Sequence, residues 1–249
     1  MEDSMKCKRC GTCCRKGGPT LHSSDIGLIH SGCLLPRHLV TVRAGELVYH
    51  PLKRSLMVLP KELVKLRGRY GSWACIFYDE SEGCTIYESR PIECRVLTCW
   101  DEGPIAGLFL QDLLARESLI PTGSILFEIM EAYDRAFPTR TVLDLLRSLA
   151  EPSHPPSISA ELERLSRADE TFRQTAVSSL GIPEDSLPFF FGRPIAEILA
   201  QFAKGPAGEK QPRDRPEKTG SSSFRVEFDR FPMRSCIPPR HSGGGRNPV

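Results

Sequence analysis

Cys7-Lys8-Arg9-Cys10-Gly11-Thr12-Cys13-Cys14, answered later in the chain by Cys75, Cys84, Cys94 and Cys99, is the pattern around which the other 237 residues arrange themselves. Four sulfurs within eight residues cannot be spread through an apolar core, because so short a spacing turns several of them toward one point. That geometry suits a metal. Thiolates are soft, anionic donors, so repeated Cys-x-x-Cys spacing selects zinc or iron over calcium or magnesium. Disulfides and small buried hydrophobes are the competing uses of clustered cysteine. Gly11 fits a knuckle, since a turn that wraps its own amides around sulfur needs a residue free to take positive φ.

Ten cysteines in 249 residues take their meaning from the redox compartment. Met1-Glu2-Asp3-Ser4-Met5-Lys6 enters the knuckle with no apolar segment, so no secretory signal is expected. The nearest approach to a membrane span, Gly107-Leu108-Phe109-Leu110, stops at Gln111 and Asp112, far short of the length required. The expectation is a cytoplasmic chain with reduced thiols, which favours metal ligation. A net charge of +2 is too weak a field to argue for nucleic acid. The length allows one domain with extensions or two small ones.

Around the cysteines the expected fold is α+β, with short strands and helices in a small irregular cysteine-rich unit over 1–104. Ser23 or Ser24 can cap a short helix through Asp25, Ile26, Leu28 and Ile29, ended by Gly32; Asp25 there complements the helix dipole. Residues 39–49 read as two strands around Ala44-Gly45, with Met57-Val58-Leu59 a third; residues 61–66 fit either strand or helix. A hairpin tipped by Asp79-Glu80-Ser81-Glu82-Gly83 brings Cys75 and Cys84 near each other. Pro91 opens a helical turn presenting Cys94, with Cys99 at its frayed end, before Trp100-Asp101-Glu102-Gly103-Pro104 closes the unit.

Residues 105–204 read as a helical region. Leu108, Leu110, Leu113 and Leu114 make one stripe, and Ile125, Phe127, Ile129, Met130, Tyr133 and Phe137 another, broken by Pro138. Thr139 is placed to cap Val142–Leu149, Ser157 or Ser159 to open a helix through Phe172, and Pro194 to begin a last one stopped by Gly205. From 205 to 249 the composition is that of a disordered basic tail, in which Cys236 is not counted as a ligand.

With Cys33 read as a buried small residue, the candidate ligands are Cys7, Cys10, Cys13, Cys14, Cys75, Cys84, Cys94 and Cys99. The two-residue gaps of Cys7, Cys10 and Cys13 lean toward an iron–sulfur cluster or iron, while eight thiols would equally serve two zinc ions. Adjacent Cys13 and Cys14 are expected to point their sulfurs apart. Arg90 and Arg95 flank Cys94 closely enough to offset thiolate charge. His30 or His38 offers a nitrogen donor, although the scattered histidines have no paired spacing.

Cys7-x-x-Cys10-Gly11-x-Cys13-Cys14-Arg15, then Asp25-Ile26, then Cys84-x-Ile86-Tyr87-x-x-Arg90-Pro91-x-x-Cys94-Arg95, resembles the CxxCxxCC cysteine-cluster family of YkgJ type over about residues 5–102. The resemblance implies a zinc- or iron-chelating domain and supplies no substrate. Three functions follow as expectations: a metal-binding protein with a structural or redox centre whose helical region meets a protein partner; a metal-dependent protein-modifying enzyme; or a zinc-knuckle module for nucleic acid or protein. The radical-enzyme pattern Cys-x3-Cys-x2-Cys fails, because starting at Cys10 and Cys14 it would need cysteine at Gly17.

Overall fold

The computed structural model describes residues 7, 9–50, 53, 55–69, 72–101 and 103–204. The basic tail with Cys236, and Gly205 as the expected stop of the last helix, lie outside them. The fold is α+β, as expected. Strand β1 (Leu39–Val42) pairs antiparallel with β4 (Leu63–Leu66), Leu39 lying opposite Leu66. Between them in sequence, β2 (Leu47–His50) and β3 (Ser55–Val58) form their own hairpin. The two strands flanking Ala44-Gly45 are therefore present but do not pair with each other. Segregation by burial explains the exchange: Leu39, Val42, Val64 and Leu66 are buried, whereas Tyr49 and Leu56 of the second hairpin are more than half exposed.

Residues 19–22 add a further extended segment beside β4, through Leu66 N to Pro19 O at 2.9 Å and Leu21 N to Val64 O at 2.8 Å. Leu114 N then donates to Leu21 O at 3.0 Å. This overturns the helical stripe expected from Leu108 to Leu114. Helix α4 occupies Gly103–Leu108, so the break expected at Gly103-Pro104 is instead a helix start, and Leu110 and Asp112 take positive φ of 58° and 44°. The sheet edge offers Leu114 and Leu113 backbone partners that a solitary helical turn would not, and leucine spacing cannot report that.

Before the sheet lie α1 (Thr12–Arg15) and α2 (Ile26–His30), the latter ended by Gly32 at φ 75°. After it come the two-residue ladder β5 (Tyr78–Asp79) with β6 (Gly83–Cys84) and helix α3 (Ile92–Val96). Then follow α5 (Ile125–Ala136), α6 (Thr139–Leu149), α7 (Pro156–Leu180), α8 (Leu187–Phe191) and α9 (Ile195–Lys204). Ser124 caps α5 by accepting from Phe127 N. Thr139 does not cap α6. Its hydroxyl donates to Ala44 O, and Pro138 stands at the cap position.

Helix α8, like α4, is an element that the sequence reading did not anticipate. Five residues are too few for a helical period, yet Phe189, Phe190 and Phe191 are all buried and α8 rests on β1, where the Thr41 hydroxyl donates to Phe189 O at 2.6 Å. Phe191 packs against Tyr133 and Phe172 at ring-centroid distances of 4.8 and 5.4 Å. The buried hydrophobic cluster runs from Leu21 and Val64 through Leu114, Tyr133 and Phe191 to Ile195. Among the described residues, no helix is long and apolar enough to cross a membrane.

Candidate metal centre

The first cysteine segment is shaped by two left-handed residues, Arg9 at φ 53° and Gly11 at φ 71°. Arg9 N–H donates to Cys7 Sγ at 3.4 Å, the amide-to-sulfur contact of a knuckle. Gly11 is required twice. Its φ strains any other residue, and a Cβ there would fall 2.3 Å from the Tyr78 ring. The turn then enters α1, which carries Cys13 and Cys14.

Tyr78 joins this knuckle to the later hairpin. Its hydroxyl accepts from Arg15, which also donates to Cys10 O at 3.1 Å, and its carbonyl accepts from Arg69. Tyr78 stands opposite Cys84 in the ladder. Cys75 N donates to Cys14 O at 2.8 Å, so the two cysteine segments touch through their backbones. The contact is between backbones, and it joins two cysteines 61 positions apart in the chain.

Helix α3, which carries Cys94, is anchored by two carboxylates. Asp25, fully buried, accepts from Ile92 N at 2.8 Å and from His22 N at 3.0 Å, with Arg95 3.8 Å away. Glu93 accepts from Thr20 N at 2.7 Å. Asp25 thus does more than complement its own helix: it caps the helix that carries Cys94. Lys65, beside Thr20 in the sheet, has its pKa lowered by loss of solvent and by the charge of Arg193, against the opposing charge of Glu93.

Electrostatics show which thiols share a neighbourhood. Cys94 is pushed up by burial first, and then by the charges of Cys75, Cys84 and Cys13. Burial also raises Cys75 and Cys84, each of which feels the other or Cys13. Cys13 is lowered to about 6 by its hydrogen bond with Cys14, and Cys14 is raised in return; the two sulfurs are 4.0 Å apart. The adjacent sulfurs are therefore within reach of each other, contrary to the expected divergence. Cys10 is lowered by the Thr12 hydroxyl at 3.2 Å. Cys7, Cys10, Cys13 and Cys99 are exposed, Cys14, Cys84 and Cys94 half-buried, and Cys75 buried. Cys33 is buried, as expected.

Tyr87 carries two guanidinium groups. Arg90 lies 3.4 Å and Arg9 3.7 Å from its ring centre. Groups this near one centroid would overlap on a single face, so they take opposite faces. Arg90 Nε also donates to Tyr87 O at 2.6 Å, and Arg9 pairs with Glu88 at 3.7 Å. The positive charge of Arg90 favours the thiolates of Cys13 and Cys84. Each exposed cation–π contact contributes about 0.5–1 kcal/mol.

The histidines have other occupations. His22 is buried, with Nδ1 2.9 Å from Gln111 O and Nε2 3.4 Å from Glu93. His38 accepts from Leu35 N and stands edge-on to Phe77; burial and then the charges of Arg37 and Arg67 lower its pKa to about 4. His30 is exposed.

Among the described residues, no three His, Cys, Asp or Glu side chains already stand in the arrangement an ion requires. The chemistry of the donors nonetheless fits a soft cation. Burial and mutual repulsion both oppose ionisation of these thiols, and an arriving cation offsets both as it takes the place of their protons. Two open concavities lie in the helical region, one beside Glu62, Arg116 and Asp134 and the other between α5 and α7, and neither is lined by cysteine. The sequence reading missed Tyr78, Glu93 and Lys65; only Glu93, next to Cys94, carried a signal that could have been used.

Residues 6–107 match the model of the CxxCxxCC family, described as a "putative zinc- or iron-chelating domain". The match covers the segment bearing all eight candidate cysteines and less than half of the chain. No curated protein and no solved structure matches.

Proposed function

We propose that the cysteine-bearing part holds iron, as an iron–sulfur cluster, through thiolates drawn from Cys7, Cys10, Cys13, Cys14, Cys75, Cys84, Cys94 and Cys99, as a structural or electron-carrying centre. The observation that carries this reading is the Cys75 N to Cys14 O hydrogen bond of 2.8 Å, with the charges of Cys13, Cys75 and Cys84 all reaching Cys94. Spacing supports iron, since two-residue gaps at Cys7, Cys10 and Cys13 are those that let three thiolates grip one cluster. The cluster would supply one-electron chemistry or a cross-link. The chain supplies donors, the guanidinium of Arg90 to offset their charge, and Asp25 to fix the helix carrying Cys94.

One observation favours zinc. Thiolates on a tetrahedral zinc ion with bonds of about 2.3 Å stand about 3.8 Å apart, close to the 4.0 Å between Cys13 and Cys14. Elemental analysis of protein purified without oxygen separates the two readings. Iron with acid-labile sulfide and a brown colour supports the first; colourless protein with zinc supports the second. Serine at Cys75, Cys84 or Cys94 should abolish loading, and serine at Cys33 should not. A sample holding neither metal under those conditions would end both readings.

A further inference from the structure

We propose that Tyr87, gripped on both faces by Arg9 and Arg90, is a latch that holds the two cysteine segments closed for a metal. The inference rests on the metal reading above and adds to it the residues that set affinity. Arg9 lies between Cys7 and Cys10; Arg90 stands four positions before Cys94; Tyr87 follows Cys84 by three. One ring therefore collects a side chain from the knuckle and one from the entry to α3.

The anchoring is one-sided. Arg90 is tied to Tyr87 by its Nε–H to Tyr87 O at 2.6 Å as well as by the stack, so those two move together. Arg9 comes from elsewhere in the chain and is held by the ring at 3.7 Å and by an exposed Glu88 at 3.7 Å. Its left-handed backbone aims it there. Cys7 and Cys10, on either side, are both exposed. Besides the latch, the knuckle is held by the Arg15 bond to Cys10 O at 3.1 Å, by Tyr78 against Gly11, by Gly83 beside Arg9 and by the Cys14–Cys75 backbone contact, none of which engages the Arg9 side-chain head. Two like charges on one ring also repel, and anionic thiolates alongside relieve that repulsion. Closure and ligation thus favour one another, and apparent affinity scales with the closed fraction.

The test is zinc affinity of the full chain, stripped of metal without oxygen and titrated against a chromophoric chelator. Tyr87→Leu should weaken binding roughly tenfold, Arg9→Gln about threefold, and Tyr87→Phe should stay within about threefold of wild type, following the size of cation–π contacts. The double variant Arg9→Gln with Tyr87→Leu should bind no more weakly than Tyr87→Leu alone. Unfolding of the metal-free helical region should be unchanged in all of them, which a general packing defect would not allow. Equal affinities, losses that add in the double variant, or Tyr87→Phe as weak as Tyr87→Leu would overturn the latch. If Tyr87→Leu fails to fold, the exposed Arg9→Gln decides alone by the same threefold criterion. A wild-type chain that takes up neither zinc nor iron would remove the metal reading; a wild type that binds zinc no better than its variants would remove only the latch.

Discussion

Asp169 and Asp25 are both fully buried carboxylates that accept the first N–H of a helix, yet they live in differently finished surroundings. Asp169 takes Ile195 N at 2.7 Å and is answered by Arg173 at 2.7 Å and the Tyr133 hydroxyl at 2.7 Å. Arg173 in turn donates to Tyr133 and to Phe191 O. Asp25 takes Ile92 N and His22 N, but its cation is a half-exposed Arg95 at 3.8 Å. The charge of Asp169 is closed within the helical region, by Arg173, Tyr133 and Ile195. Beside the cysteines charge is left for exposed arginines, and by the proposed function for a metal, to balance. A self-satisfied network makes a scaffold; an unsatisfied one makes a binding site.

The sharpest break of that comparison is Asp169→Ala. It strands Arg173 in the core and should cost about 3–5 kcal/mol in denaturant unfolding, equally with and without metal. A loss under about 1 kcal/mol would mean that the pair is effectively solvated and the contrast false.

Metal withdrawal should act on the other side alone. At a hundredfold excess over its Kd a bound ion adds about 2.7 kcal/mol, so chelation should raise hydrogen exchange at Arg15, Cys75 and Ile92 amides while Leu146 and Ala176 keep their protection. Uniform loss across both groups would show one cooperative unit in place of two regimes.

Gly11→Ala and Gly181→Ala sharpen the contrast. Both glycines have positive φ, 71° and 66°, but an added methyl meets Tyr78 at the first and nothing within 4 Å at the second. The backbone term, about 1–2 kcal/mol, is common to both. Only Gly11→Ala should also reduce zinc or iron loading. Equal loading in the two variants would remove Tyr78 as the wedge.

The smallest effect concerns pH. Burial and nearby arginines hold folded His38 neutral down to about 4, whereas the ordinary value is 6.5. The unfolded chain takes the proton first, so His38 costs the fold stability progressively as pH falls from 6.5 toward 4, and nothing above that window. His38→Asn keeps an acceptor for Leu35 N and should flatten stability against pH there, relative to wild type, in paired urea titrations. Parallel curves would show His38 to be well hydrated.

Much of the cysteine part was legible because its signals are local. Gly11 with the knuckle spacing, the polar hairpin tip ahead of Gly83 and the proline before Cys94 each specify a turn or helix start from neighbouring residues alone, and each is found where expected. Leu113, Leu114 and Phe189–Phe191 were opaque for the converse reason. Their conformation is fixed by Leu21 and Thr41, remote in sequence, and short apolar runs look alike in helix, strand or loop.

The sequence by itself determined that soft donors are gathered in two places, since a thiol's chemistry and the reach of a two-residue spacer do not depend on the rest of the fold. Only the tertiary structure decided that these places touch at Cys14 and Cys75, that Asp25 caps the helix of Cys94, and that Arg9 and Arg90 meet on Tyr87. Such contacts arise when segments far apart in the chain are packed on a common core, and their partners are chosen by burial and hydrogen bonding, which no local spacing encodes.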